Sequence, residues 1–175
     1  MIWQCRRFEI EVTAKDTLTK TGKDELTFLF TANLGEPIRP LLKVASGGEL
    51  SRVALAIKTV LLNASGVPTM VFDEIDTGVG GVTAQKMAEK IAVIAKVGQV
   101  LCITHLPQIA SFADRHLLIR KESTGGRTST GLTVLDEEGR IQELMRMTVG
   151  DNVSEVAYAN AKELLAAAAK NKQAR

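Results

Sequence analysis

The chain has 175 residues, 45% hydrophobic, 24% charged and 4% aromatic, with 22 Lys and Arg against 20 Asp and Glu for a formal net charge of +2. These totals suit one globular domain with a sizeable core. They argue against a disordered chain, a surface built on ring stacking, or a strong field aimed at nucleic acid or membrane.

Cys5 and Cys102 lie too far apart in sequence to suggest a disulfide framework or a metal-ligand spacing, and Cys102 inside "VLCIT" reads as a small buried thiol. "MIWQCRR" lacks the apolar core of a secretory signal, and the short run "VALAIKTVLL" carries Lys58, so no membrane span is expected. A reduced, cytoplasmic protein is the expectation.

Along the chain, Phe8, Ile10 and Val12 alternate, as do Leu26, Phe28 and Phe30, with the turn-like "TKTGKDE" between them. That pattern predicts two half-buried strands in a hairpin. The Gly/Pro loop "NLGEPIRP" (33–40) ends the second strand. From Glu49 to Asn63, Leu50, Val53, Ile57, Val60 and Leu61 recur at helical spacing, and the helix starts at "ASGG", where Ser46 can cap. After Pro68, "TMVFDE" (69–74) is apolar without alternation, as in a parallel strand covered on both faces. A helix over about Thr83 to Val97, with Met87, Ile91, Ile94 and Ala95 inward, leads to a second such strand, "QVLCITH" (99–105). Strand, helix, strand makes a parallel crossover unit and so an α/β core. "HLLIRKE" and "STGLTVLD" flank Gly125 and Gly126 as a further hairpin, and helices over about Arg140 to Met147 and Ser154 to Lys170 finish the chain.

Ligands of such sheets lie at the carboxyl ends of the strands, where Asp73, Glu74 and His105 fall. An acid there can hold Mg²⁺, directly or through water, and a second can orient or deprotonate an attacking water. Taken alone, "DE" fits a turn cap beside a solvated acid equally well. Ser46, Gly47 and Gly48 at a helix start form an anion site if a phosphate arrives, and an ordinary N-cap if none does. His105 reads either as a satisfied strand-end residue or as a donor to a terminal phosphate. "TGKDE" (21–25) contains Gly-Lys but lacks the upstream glycine and the following Ser or Thr of a phosphate-cradling loop. The residues therefore offer the metal and water half of a nucleotide site without the loop that grips the β-phosphate.

"KVASGGELSRVALAIK" (43–58), "VFDEIDTGVGG" (71–81) and "ITHLPQIASFAD" (103–114) resemble, in that order, the signature motif, the Walker B with D-loop, and the H-loop of ABC-type ATPases. More narrowly, they resemble the carboxyl-terminal lobe of an SMC-like head acting in DNA repair, over nearly the whole chain. The resemblance implies a P-loop NTPase-like (ABC/SMC head) α/β fold, a mostly parallel sheet flanked by helices with peripheral β-hairpins. The expected division of the single domain 1–175 is a hairpin and loop (1–44), a signature helix (45–66), a Walker B, D-loop and H-loop core (67–122), and a hairpin with terminal helices (123–175).

In that family the Walker A lobe comes first and a long coiled coil separates the lobes, which would place Met1 near the chain's return from the coil. The resemblance implies ATP and Mg²⁺ in the complete head, with Asp73 near the metal, Glu74 activating water, and His105 on the γ-phosphate. Ser46, Gly47, Gly48 and Glu49 would meet ATP held by a second head, and Asp76, in the D-loop, would lie at that same interface. The implied partners are the Walker A lobe of the same or a second chain, a head-to-head homodimer, and DNA through the full-length protein, in a cytoplasmic, nucleoid-associated setting with no membrane. The implied role is ATP-driven engagement of DNA ends in recombinational repair of double-strand breaks, with no activity from this chain alone. The alternatives are an ATPase subunit of another ABC system and a non-catalytic dimerisation or DNA-binding fragment.

Overall fold

The computed structural model describes residues 7–31, 35–44, 46–61, 68–124, 127–150, 152 and 154–173. Cys5, the loop residues 33 and 34, the helix end expected at Asn63 and the Gly125-Gly126 turn lie outside them.

β1 (Arg7–Thr19) and β2 (Gly22–Thr31) form the expected antiparallel hairpin. Phe8 faces Phe30, Ile10 faces Phe28 and Val12 faces Leu26, so the alternation places all six apolar side chains on one face. The rings of Phe8 and Phe28 stack at 5.8 Å. A two-residue strand, β3 (Arg39–Pro40), pairs with the end of β2 inside what reads as loop, and α1 (Leu41–Val44) follows it. Phe30 and Leu41 are buried there, whereas Ile10, Val12 and Leu26 stay exposed.

The core begins with α2 (Gly47–Val60) and continues through β4 (Thr69–Phe72), α3 (Gly81–Ile94) and β5 (Gln99–Cys102). β4 and β5 pair in parallel, Thr69 opposite Gln99 through Phe72 opposite Cys102, and α3 is the crossover. Short α4 (Pro107–Ala110) leads to the antiparallel hairpin of β6 (Leu117–Thr124) and β7 (Arg127–Val134), then to α5 (Glu137–Val149) and α6 (Glu155–Gln173). One hydrophobic cluster joins Leu55, Phe72, Ile75, Met87, Ile94 and Phe112. A second joins Ala110, Ile141, Leu144, Met145, Ala157 and Ala161, where the small side chains of α6 admit α5 closely.

Two expectations about burial change. The parallel pair is covered on one face only: Phe72 is buried, while Val71, Leu101 and Ile103 on the other face are 62%, 44% and 53% exposed. An unbroken apolar run announces two faces that need cover, but it does not say that this chain supplies both. On α2 the buried residues are Gly48 and Leu55, and Val60 and Leu61 of the apolar stripe are exposed. The face turned inward is chosen by the close approach of Gly48 and the polar reach of Ser51 and Arg52, described below.

Where α4 meets α5, Arg140 Nη2 donates to the carbonyls of Ser111 and Ala113, at 3.3 and 2.7 Å. His116 lies in the same region, with its Nδ1 buried and without a hydrogen-bond partner among the described residues. Burial, and then the Arg140 charge, lower its pKa against a smaller opposing pull from Glu143. A histidine held below its unfolded pKa takes up fewer protons in the folded state, so its stabilising contribution is present above about pH 6.5 and is lost as pH falls. The difference in thermal midpoint between the native chain and His116→Gln should therefore shrink from pH 7 to pH 5. A difference constant over that range removes His116 from the acid response.

Candidate nucleotide-hydrolysis site

β4 delivers Asp73 and Glu74 to solvent, then turns sharply inward so that Ile75 is fully buried and Asp76 is 2% exposed. The turn closes with Thr77 N donating to Glu74 O at 3.1 Å and Val79 N to Asp76 O at 3.2 Å. Glu74 has φ +55, the one positive φ outside glycine among the described residues. For a residue with a Cβ this conformation costs about 1–2 kcal/mol, so the surroundings must hold it.

Those surroundings are the first turns of α2. Ser46 and Glu49 form a capping box: Ser46 Oγ accepts from Glu49 N at 3.3 Å, and Glu49 Oε2 accepts from Ser46 N at 2.8 Å. Both side chains are thus occupied by local capping, and the uncapped amides at the helix start are those of Gly47 and Gly48. At Gly48 only glycine fits, whereas at Gly47 a side chain would have to displace the end of the Glu74 side chain. A Cβ on Gly48 would lie 2.8 Å from Glu74 O, and one on Gly47 would lie 3.0 Å from Glu74 Oε2. One turn on, Ser51 Oγ donates to Asp73 O at 2.9 Å, and Arg52 Nη1 donates to Ile75 O at 3.3 Å and Thr77 O at 2.8 Å. Burial lowers the Arg52 pKa, with Glu49 pulling the other way.

Asp76 belongs to the interior. Its Oδ2 accepts from Thr104 Oγ1 at 2.5 Å and His105 N at 2.9 Å, and lies 3.1 Å from His105 Nδ1. Within the lobe, the Asp76 side chain fixes the end of β5. The imidazole of His105 is largely exposed, with Nδ1 on the side of that carboxylate. The Cys102 thiol, below this cluster, is pushed up to about 12 by burial and then by Asp76 and Asp73, as a structural thiol would be.

The structure thus gathers Asp73, Glu74, Asp76 and His105 at the carboxyl ends of β4 and β5, with Gly47 and Gly48 against Glu74. Asp73 makes no side-chain hydrogen bond among the described residues, and no group of three His, Cys, Asp or Glu among them could hold a metal ion. That donor set fits Mg²⁺, which keeps its waters and takes one or two carboxylates plus substrate phosphates, and does not fit a metal caged by protein alone. Ser51, Arg52 and Thr104 are the site residues that the sequence reading passed over. Arg52, at i+4 from Gly48 and so on the same helical face, carried the one available signal.

The site lies where a parallel α/β sheet presents ligands, at the carboxyl ends of its strands. No protein-family model matches the chain. Among curated proteins it is 46% identical over 91% of its length to the DNA repair protein RecN of Halalkalibacterium halodurans, 46% over 95% to that of Treponema pallidum, and 50% over 85% to that of Bacillus subtilis. The chain is thus a relative of the RecN proteins, aligning with their carboxyl-terminal part and spanning 28%, 30% and 26% of the length of these three. A solved structure from work on ATP-driven dimerisation and DNA-stimulated activation of SMC ATPases overlaps 82% of this chain and 83% of its own, at 19% identity and a TM-score of 0.48.

Proposed function

We propose that this chain is the carboxyl-terminal lobe of an SMC-like ATPase head that acts in recombinational repair of DNA double-strand breaks in the cytoplasm, at the nucleoid. It contributes Walker B and H-loop residues to one ATP site, and signature residues, with Asp76 of the D-loop, to the interface with a second head. A Walker A lobe, on the same or another chain, completes the ATPase, and a head-to-head homodimer brings the two halves of each site together.

The observation that carries this reading is the convergence of Asp73, Glu74 and the Asp76-held His105 at the ends of two parallel strands, where the sheet presents a ligand. Bound Mg²⁺ would neutralise charge on the γ-phosphate of ATP. Asp73 would hold the metal or its waters, and Glu74 would orient a water and take its proton. His105, its Nδ1 committed to Asp76, would present Nε2 to the terminal phosphate. The Gly47 and Gly48 amides, at the positive end of α2, would receive the γ-phosphate of ATP bound to the opposing head.

Calorimetric titration with ATP and Mg²⁺ tests the division of labour. The chain alone should give no strong binding, and the chain combined with a Walker A lobe should bind and hydrolyse. Tight binding by the chain alone overturns the assignment of the missing cradle to another lobe. Absence of hydrolysis in the combined head moves the chain to the non-catalytic class.

A further inference from the structure

α2 is fastened to the acid-bearing turn on both sides of Glu74. Ser51 holds the carbonyl of Asp73 just before it, and Arg52 holds the carbonyls of Ile75 and Thr77 just after it. Between these holds, Gly48 lies against the Glu74 carbonyl closely enough to exclude any side chain. Glu74 itself sits at φ +55, a backbone state that persists only while its neighbours impose it. Ser51 and Arg52 stand one turn beyond Gly47 and Gly48, on the same rigid helix. Any displacement of the helix start therefore reaches the turn through three side-chain hydrogen bonds.

We propose that Arg52, aided by Ser51, is a positioning residue for Glu74, coupling the seating of phosphate at the Gly47 and Gly48 amides to the placement of the Glu74 carboxylate. The inference rests on the reading of Glu74 as the residue that activates water. Its content is that a head cannot place its own Glu74 for catalysis independently of what its α2 meets. Phosphate from an opposing head shifts the helix start, and the two bonds from Arg52 Nη1 carry the shift to the carbonyls of Ile75 and Thr77 that follow Glu74. Lysine is an imperfect substitute, because its ammonium sits on a flexible stem and would have to reach both carbonyls that Arg52 Nη1 meets.

The test compares Arg52→Ala, Arg52→Lys and Ser51→Ala in the complete head, chain plus Walker A lobe, with Glu74→Gln as reference. Misplacing a catalytic group without removing it should lower kcat by about a hundredfold in Arg52→Ala, with smaller losses in Arg52→Lys and Ser51→Ala. The KM for ATP should stay within about twofold, because ground-state binding is made elsewhere. In the chain alone, exchange of the Thr77 amide, bonded to Glu74 O, should quicken in Arg52→Ala while the thermal midpoint stays high enough for a folded core. If Arg52→Ala does not fold, the graded kcat losses of Arg52→Lys and Ser51→Ala decide the matter. Native kcat in the Arg52 and Ser51 variants beside a dead Glu74→Gln overturns the positioning role alone. Native kcat in Glu74→Gln overturns the underlying reading as well.

Discussion

Replacing Glu74 by Gln in the complete head is expected to cut ATP turnover by about 10²–10⁴-fold, the range lost when a positioned base is removed, while ATP binding persists. Glutamine keeps the length and volume of the side chain beside Gly47, so the start of α2 need not move, but its amide cannot accept a proton from water. Heads that close on ATP and cannot hydrolyse it should accumulate as dimers. Size-exclusion chromatography with ATP and Mg²⁺ should therefore show a dimer in the variant that the native head forms only briefly. Turnover at the native rate in Glu74→Gln would refute the assignment of the base.

Asp76→Ala should be costly in a second way, because this carboxylate is buried and accepts two hydrogen bonds, with His105 Nδ1 also 3.1 Å away. Its removal strands the Thr104 hydroxyl and the His105 amide without an acceptor. At about 1–2 kcal/mol for each of these two part-buried groups, the loss should be about 2–4 kcal/mol. For a chain of this size that lowers the thermal midpoint by roughly 4–16 °C. The same substitution frees the imidazole of His105 to rotate, so turnover of the complete head should fall beyond what the lost stability explains. Asp76→Asn, which keeps an acceptor oxygen, should recover part of the midpoint but less of the turnover. A midpoint unchanged in Asp76→Ala would mean that the buried acceptor is dispensable.

The placement of these polar residues was legible in the sequence because the signal was positional. Acids and a histidine at the ends of apolar strands fall where a parallel sheet presents ligands, and the structure brings Asp73, Glu74, Asp76 and His105 together there. The hairpins were legible for a similar reason, since period-two alternation in Phe8, Ile10 and Val12 has few other readings. The packing face of α2 was not. Its apolar stripe at Leu50, Val53 and Ile57 was the louder pattern, but Gly48 and the reach of Arg52 decide which side faces the turn, and hydrophobic periodicity does not register a glycine that is valued for having no side chain. The inward turn of Asp76 was hidden likewise, because burial of a carboxylate depends on donors supplied by Thr104 and His105, nearly thirty residues away. β3 and α1 were missed for want of length: two strand residues and one helical turn leave no period to detect.

The parallel pair of β4 and β5 leaves its two outer rims without a hydrogen-bonded neighbour among the described residues, and Val71, Leu101 and Ile103 bare above them. Rows of unmet amides and carbonyls beside oily side chains are adhesive toward any extended peptide. A surface of this kind is liable to bind copies of itself, and covering it would keep the polypeptide dispersed.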